Sequence, residues 1–213
     1  MRRQIIALVA TAGMLGGGAA QADVLTFDEL PSTDAIFSHI TYGEYEFDSD
    51  HFHTFGATPY YDNVVWNGTT YLGYESGRGH PLVMTRTDGG AFSLEALDVG
   101  EFFNYENGDR PNAQILDITG TLASGGTVSY QLTLDYIFDG RYGQPDFQTF
   151  QLPGLFTNVT SIVFTGLRFN GWDGGVSIDN LVVSVPEPGT LALLGAGLLM
   201  VGAARRRKSN RAA

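Results

Sequence analysis

The sequence predicts an all-β fold, a two-sheet antiparallel β-sandwich, on three observations. Its apolar residues alternate in short runs, as one-sided strands require, and almost nowhere recur with the spacing of an amphipathic helix. Gly, Asp and Asn punctuate these runs and mark the connections. About ten such runs fit within residues 23–185, a count and spacing that suit a sandwich.

Taken in order, the first predicted strands are residues 24–27, 41–47 and 69–74, stretches rich in the aromatic and β-branched residues that fit a pleated surface. Residues 82–85 and 92–99 follow, joined by Asp88-Gly89-Gly90. Residues 114–120 and 127–134 are joined by Ser124-Gly125-Gly126. Both glycine pairs supply positive-φ turn positions, so each pair of strands is expected to form an antiparallel hairpin. In 127–134, Val128, Tyr130, Leu132 and Leu134 share one face while Thr127, Ser129, Gln131 and Thr133 share the other, the pattern of a half-buried strand. Residues 147–152, 161–165 and 175–183 complete the set. The longer connections, 49–68, 100–113 and 135–146, are rich in aromatics and carboxylates, and such loops are where a rigid sandwich carries binding residues.

Both ends of the chain read as addresses. Arg2-Arg3, the apolar residues 5–15 and the small-x-small triplet Ala20-Gln21-Ala22 make residues 1–22 a Sec signal peptide with a helical apolar core. The mature chain then begins at Asp23. At the other end, Pro186-Glu187-Pro188 precedes an apolar helix over 190–204 and the basic cluster Arg205, Arg206, Arg207 and Lys208. The uncharged run 191–204 has 14 residues against the roughly 20 of a full crossing, so it forms a short transmembrane helix with its cations on the cytoplasmic side. A buried C-terminal helix is the alternative, and four consecutive cations weigh against it.

In motif, span and basic stop, this tail resembles the PEP-CTERM sorting signal of Gram-negative bacteria. The resemblance implies an exosortase as processing partner, cutting near Pro186-Glu187-Pro188. It also implies transient anchoring in the inner membrane and delivery to the cell envelope, outer surface or exterior. The expected organisation is therefore a signal peptide over 1–22, a β-sandwich domain over 23–185 and a sorting tail over 186–213.

Removing both addresses changes the electrostatics. Residues 23–185 hold five arginines, no lysine and 22 carboxylates, a net charge of −17 where the full chain carries −11. Such acidity argues against nucleic acid and anionic membrane surfaces as partners, and it favours divalent cations. Without cysteine, no disulfide staples the fold, and packing must hold it.

Within the second half, Ile118-Thr119-Gly120-Thr121, Gly126-Thr127-Val128, Phe150-Gln151-Leu152, Val159-Thr160-Ser161-Ile162-Val163-Phe164 and Val176-Ser177-Ile178-Asp179-Asn180-Leu181-Val182-Val183 resemble carbohydrate-binding-module-type jelly rolls. The resemblance implies a galactose-binding-like or jelly-roll sandwich, frequently with a structural Ca²⁺, and no catalytic apparatus. First and last strands lie side by side in this class, so Asp28 or Glu29 is expected to join Asp179, helped by Asp98 or a backbone carbonyl, in one calcium site of hard oxygen ligands. The alternative is that these are solvated carboxylates of a very acidic protein.

Other constellations are weaker. Asp48-Ser49-Asp50 lacks the later Gly and Glu of an EF-hand and reads as a solvated turn, and the oxygen-rich residues 104–109 read the same way. His51 and His53 share a strand face without an identifiable third ligand. No cysteine nucleophile, nucleophile elbow, phosphate loop or zinc-protease helix is present. Two carboxylates across a cleft would suffice for a glycoside hydrolase, so that reading stays open. Sugars are held by flat aromatic faces together with amide, carboxylate and guanidinium groups. Trp66, Tyr105, Arg168, Asn170 and Trp172 are the candidates for that role, and the competing reading of Trp172, as a loop residue that caps the core end of the sandwich, stands ahead of it on sequence alone. The expected function is a non-enzymatic exported protein that associates with exopolysaccharide or another glycan. A calcium-dependent matrix or adhesion protein is the alternative.

Overall fold

The computed structural model describes residues 22–31, 35–55, 65, 68–74, 81–102, 112–140, 143, 145–186, 197 and 200. Eleven strands make up the unit Gln21–Pro186: β1 Ala22–Leu25, β2 Ala35–Tyr42, β3 Tyr45–Phe55, β4 Tyr71–Tyr74, β5 Leu82–Arg86, β6 Ser93–Glu101, β7 Ile115–Leu122, β8 Thr127–Thr133, β9 Gln148–Gln151, β10 Val159–Leu167 and β11 Val176–Ser184. In the remaining unit, Met1–Ala20 with Glu187–Ala213, the two described residues Gly197 and Met200 are helical. The rest of the signal and tail helices lies outside the described residues. Among the described residues no helix is long and apolar enough to cross a membrane.

The expected two-sheet antiparallel sandwich is present. One sheet runs β8-β7-β10-β5-β3 and the other β4-β11-β6-β9, with β1 added to β11 and β2 to β3. The β2–β3 ribbon serves both sheets: Tyr45–Asp48 of β3 pair with β5, while Phe52–Phe55 pair with β4. A register shift between Phe37 and His39 in β2 accompanies this change of partner, as expected where a strand turns a sandwich corner. Between the sheets, Phe47, Met84, Ile118, Ile162 and Phe164 from one side meet Leu72, Leu97, Val99, Ile178 and Leu181 from the other, all buried. Each such side chain contributes about 1.5–3 kcal/mol of transfer free energy.

The β7–β8 hairpin forms as predicted, with register from Ile115↔Thr133 to Thr121↔Thr127 and with Gly125 and Gly126 at φ of 90° and 87°. Three expectations need correction. Residues 41–47 are two strands, separated by a turn at Gly43-Glu44 with Gly43 at φ 60°. Asp48-Ser49-Asp50 belongs to β3 and not to a turn, and it is the ribbon's bend that accommodates so polar a run. The Asp88-Gly89-Gly90 turn has its positive φ at Gly89, 69°, yet β5 and β6 do not pair. That turn instead carries the chain between sheets, because Phe92 is buried and bridges to Val159 while Arg86 clamps Glu44 and Asp88 at 3.2 and 2.9 Å. In β8 the inward face holds at Leu132 and Leu134, and Val128 packs half-buried against the core, while Tyr130 is exposed on this edge strand.

Candidate functional site

The Ile178-Asp179-Asn180-Leu181 strand sits where β11 changes neighbours. β4 covers Val176–Ile178, whereas β1 covers Leu181–Ser184, with Ala22↔Ser184 and Leu25↔Leu181 in register. First and last strands are therefore adjacent, as the jelly-roll resemblance implies. Asp179 and Asn180 fill the seam between them. Asn180 takes φ 48°, a left-handed conformation that asparagine tolerates better than most residues, at a register shift in the pairing with β6.

Asp179 is fully buried, and its Oδ2 accepts from Thr69 Oγ1 at 3.2 Å while Oδ1 accepts from the Asn180 N–H at 2.8 Å. Asp28, exposed, accepts from the N–H of Thr70 at 3.2 Å, so the two carboxylates meet consecutive threonines. Asp98 faces Asp179 across β6 and β11 and accepts from Asn180 Nδ2 at 2.8 Å and Thr149 Oγ1 at 2.6 Å. The structure thus brings Asp28, Asp98 and Asp179 around Thr69, Thr70 and Asn180, with Glu29 exposed beside Asp28. Hydroxyl and amide donors meet these carboxylates and tie three strands together. Among the described residues no group of three or more His, Asp or Glu side chains could hold a metal ion.

The second arrangement is the turn after β10. The Arg168 N–H donates to the Trp172 carbonyl at 2.6 Å, the Gly171 N–H to the Arg168 carbonyl at 2.8 Å, and the Trp172 N–H to Asn170 Oδ1 at 3.0 Å. Gly171 at φ 78° permits the reversal, and Phe169 is pinned by its N–H to Gln114 Oε1 at 3.0 Å. On this rigid turn Trp172 is 59% exposed and Phe169 66%. Trp172 therefore does not cap the core, and Phe169, which sequence reasoning passed over, stands beside it in the turn. Asn170 is engaged in holding the turn. Trp66 and Tyr105, like the side chains of His51 and His53, lie outside the described residues.

No sequence pattern marks Glu101 or Asp146, yet each has a buried oxygen, Glu101 Oε2 and Asp146 Oδ1, that no donor among the described residues meets. Burial pushes the Glu101 carboxyl up to about 7, with Asp135 and Asp146 adding to the shift. Outside these regions, His39 Nδ1 lies 2.7 Å from Asp48 Oδ1, and that hydrogen bond raises the histidine pKa on an exposed face.

The described residues define an acidic β-sandwich, and its C-terminal extension supplies the class. Residues 184–208 match the PEP-CTERM protein-sorting motif. The chain is thus an exported protein whose tail anchors in the membrane for processing by an exosortase. Pro186 is exposed at the end of the sandwich unit, while Glu187, Pro188, the cluster Arg205, Arg206, Arg207 and Lys208, and Ala20 of the signal triplet lie outside the described residues. Ala22 is in β1. No curated protein sequence matches the chain. Among solved structures, it is similar to the K1 cleaved adhesin domain of Lys-gingipain from Porphyromonas gingivalis, at 12% identity and a TM-score of 0.42, over 78% of this chain and 98% of that one. It is also similar to an arabinose-bound α-L-arabinofuranosidase, MgGH51, at 11% identity and a TM-score of 0.41, over 79% of this chain and 27% of that one.

Proposed function

We propose that the protein is a non-enzymatic component of the cell envelope or extracellular matrix that associates with exopolysaccharide through the 168–172 turn. The Sec pathway exports it, the tail holds it briefly in the inner membrane, and exosortase cuts near residues 186–188. One observation carries the sugar reading: Trp172 and Phe169 are exposed on a turn whose backbone is fixed by four hydrogen bonds. A preorganised aromatic face costs little entropy to dock against sugar C–H groups. Arg168 in the same turn adds a guanidinium. The charge of −17 on residues 23–185 favours neutral over anionic polymers. A non-enzymatic role agrees with the lack of any nucleophile motif in the sequence.

The test is retention of full-length protein, in detergent, on exopolysaccharide isolated from the producing cells. Trp172→Ala is expected to weaken binding about tenfold, on the order of 1.4 kcal/mol, with stability changed by no more than about 0.5 kcal/mol because the side chain is exposed. Unchanged retention of Trp172→Ala and Phe169→Ala together would remove the platform from the proposal. Turnover of chromogenic glycosides would replace it with a hydrolase.

A further inference from the structure

Glu101 ends β6, paired with Val176 of β11, and its side chain is fully buried. Its Oε1 accepts the Tyr136 N–H at 2.9 Å. Tyr136 adopts φ 59°, an uncommon conformation for an aromatic residue, and so the backbone is bent to present that donor. Oε2 has no partner. Tyr136 and Asp146 bring two further stretches of chain to this end of β6. Asp146 approaches because residue 100 is glycine: a Cβ there would stand 2.6 Å from the Asp146 carbonyl oxygen. Asp146 Oδ1 is likewise buried with no hydrogen-bond partner among the described residues, and burial together with the charges of Asp139 and Asp135 pushes its carboxyl up. Asp135 turns inward on its own chain, accepting the Ile137 N–H at 2.9 Å.

From this geometry we infer that the corner formed by the end of β6, residues 135–139 and Asp146 is a divalent-cation site, best suited to Ca²⁺, with Glu101 Oε2 and Asp146 Oδ1 as its side-chain ligands. A buried carboxylate oxygen without a donor is rare because its desolvation is uncompensated, and four carboxylates in one corner compound the cost. Burial and the charges of Asp135 and Asp146 raise the affinity of Glu101 for a proton, burial and the charges of Asp139 and Asp135 do the same for Asp146, and a cation would relieve both. Water could fill the space but would leave the charge. Ca²⁺ takes six to eight oxygens and accepts backbone carbonyls and waters among them, so two carboxylates can anchor it while Asp135 and Asp139 supply field. These residues are separate from Asp28, Asp98 and Asp179, each of which accepts from at least one donor. The site is independent of the sugar platform.

Melting of the full-length protein in detergent, in EDTA and then in excess CaCl₂, tests the site. Calcium at a hundredfold excess over its Kd is expected to raise the melting temperature by about 5 °C or more, and the rise should disappear in both Glu101→Gln and Asp146→Asn. Calorimetric titration should lose the same binding event in each variant, which keeps the result readable if either variant is less stable. A wild-type protein that melts alike in EDTA and calcium overturns the proposal, as does a full response in both variants.

Discussion

Asp179 and Glu101 are both fully buried carboxylates on adjacent strands, and the fold treats them in opposite ways. At the seam, a threonine hydroxyl and a backbone amide meet the two Asp179 oxygens, and Asn180 extends the network to Asp98. At the corner, one amide meets one Glu101 oxygen and nothing among the described residues meets the other. A buried charge is stable where fixed donors surround it, and otherwise it takes up a proton or waits for a cation. The seam is thus finished by the chain itself. The corner is not.

The largest expected effect breaks the finished half. Asp179→Ala removes the acceptor of Thr69 Oγ1 and of the Asn180 N–H inside the protein, and leaves a small cavity. Urea unfolding should show a loss of about 3 kcal/mol, in EDTA and in calcium alike. A loss below about 1 kcal/mol would mean that the seam is not held by this carboxylate, and the contrast with Glu101 would collapse.

Glu101 should behave in the reverse sense. Its native carboxyl is raised to about 7 from an ordinary 4.5, so the folded protein binds the extra proton between those values. Stability in EDTA should be highest below about pH 4.5 with respect to this group, fall as pH rises through that window, and level off above about 7. At pH 8 Glu101→Gln should be more stable than wild type by on the order of 2 kcal/mol, and its unfolding should lack that part of the pH dependence. Saturating calcium should flatten the wild-type profile, because a bound cation replaces the proton. A Gln variant that is less stable than wild type at pH 8 in EDTA would show that the corner is as complete as the seam.

The two regions also differ in how far they were legible. The seam could be read because strand alternation, the Ile178-Asp179-Asn180-Leu181 run and the adjacency of first and last strands all act at the level of residue pattern. Turn chemistry was legible only locally: Ser124-Gly125-Gly126 and Asp88-Gly89-Gly90 both bend the chain at positive φ, but one stays within a sheet and the other crosses between sheets. The choice is made by Phe92, which finds Val159 from far along the sequence. The β2–β3 ribbon was hidden because its turn lies inside an aromatic run and its bend carries Asp48-Ser49-Asp50. Glu101 had no signature at all, being one of 22 carboxylates in its domain. Beside it, Gly100 admits the Asp146 backbone, a contact no local pattern encodes.

The smallest effect separates backbone from side chain at the seam. Asn180 contributes both its left-handed φ of 48° and the Nδ2 donor to Asp98. Asn180→Gly keeps the conformation and loses the donor, so it should cost only about 1 kcal/mol, the net worth of one hydrogen bond to a charged group offset by access of water to the half-buried Asp98. Asn180→Ala loses both and should cost roughly 1 kcal/mol more, since a Cβ strains that backbone. The spacing between the two variants, measured by urea unfolding, is the informative quantity. Equal losses would place the whole contribution in the Asp98 contact, so that Asn180 would be simply a donor; a well-tolerated Gly with a costly Ala would make the bulge itself the device that lets β11 exchange β4 for β1.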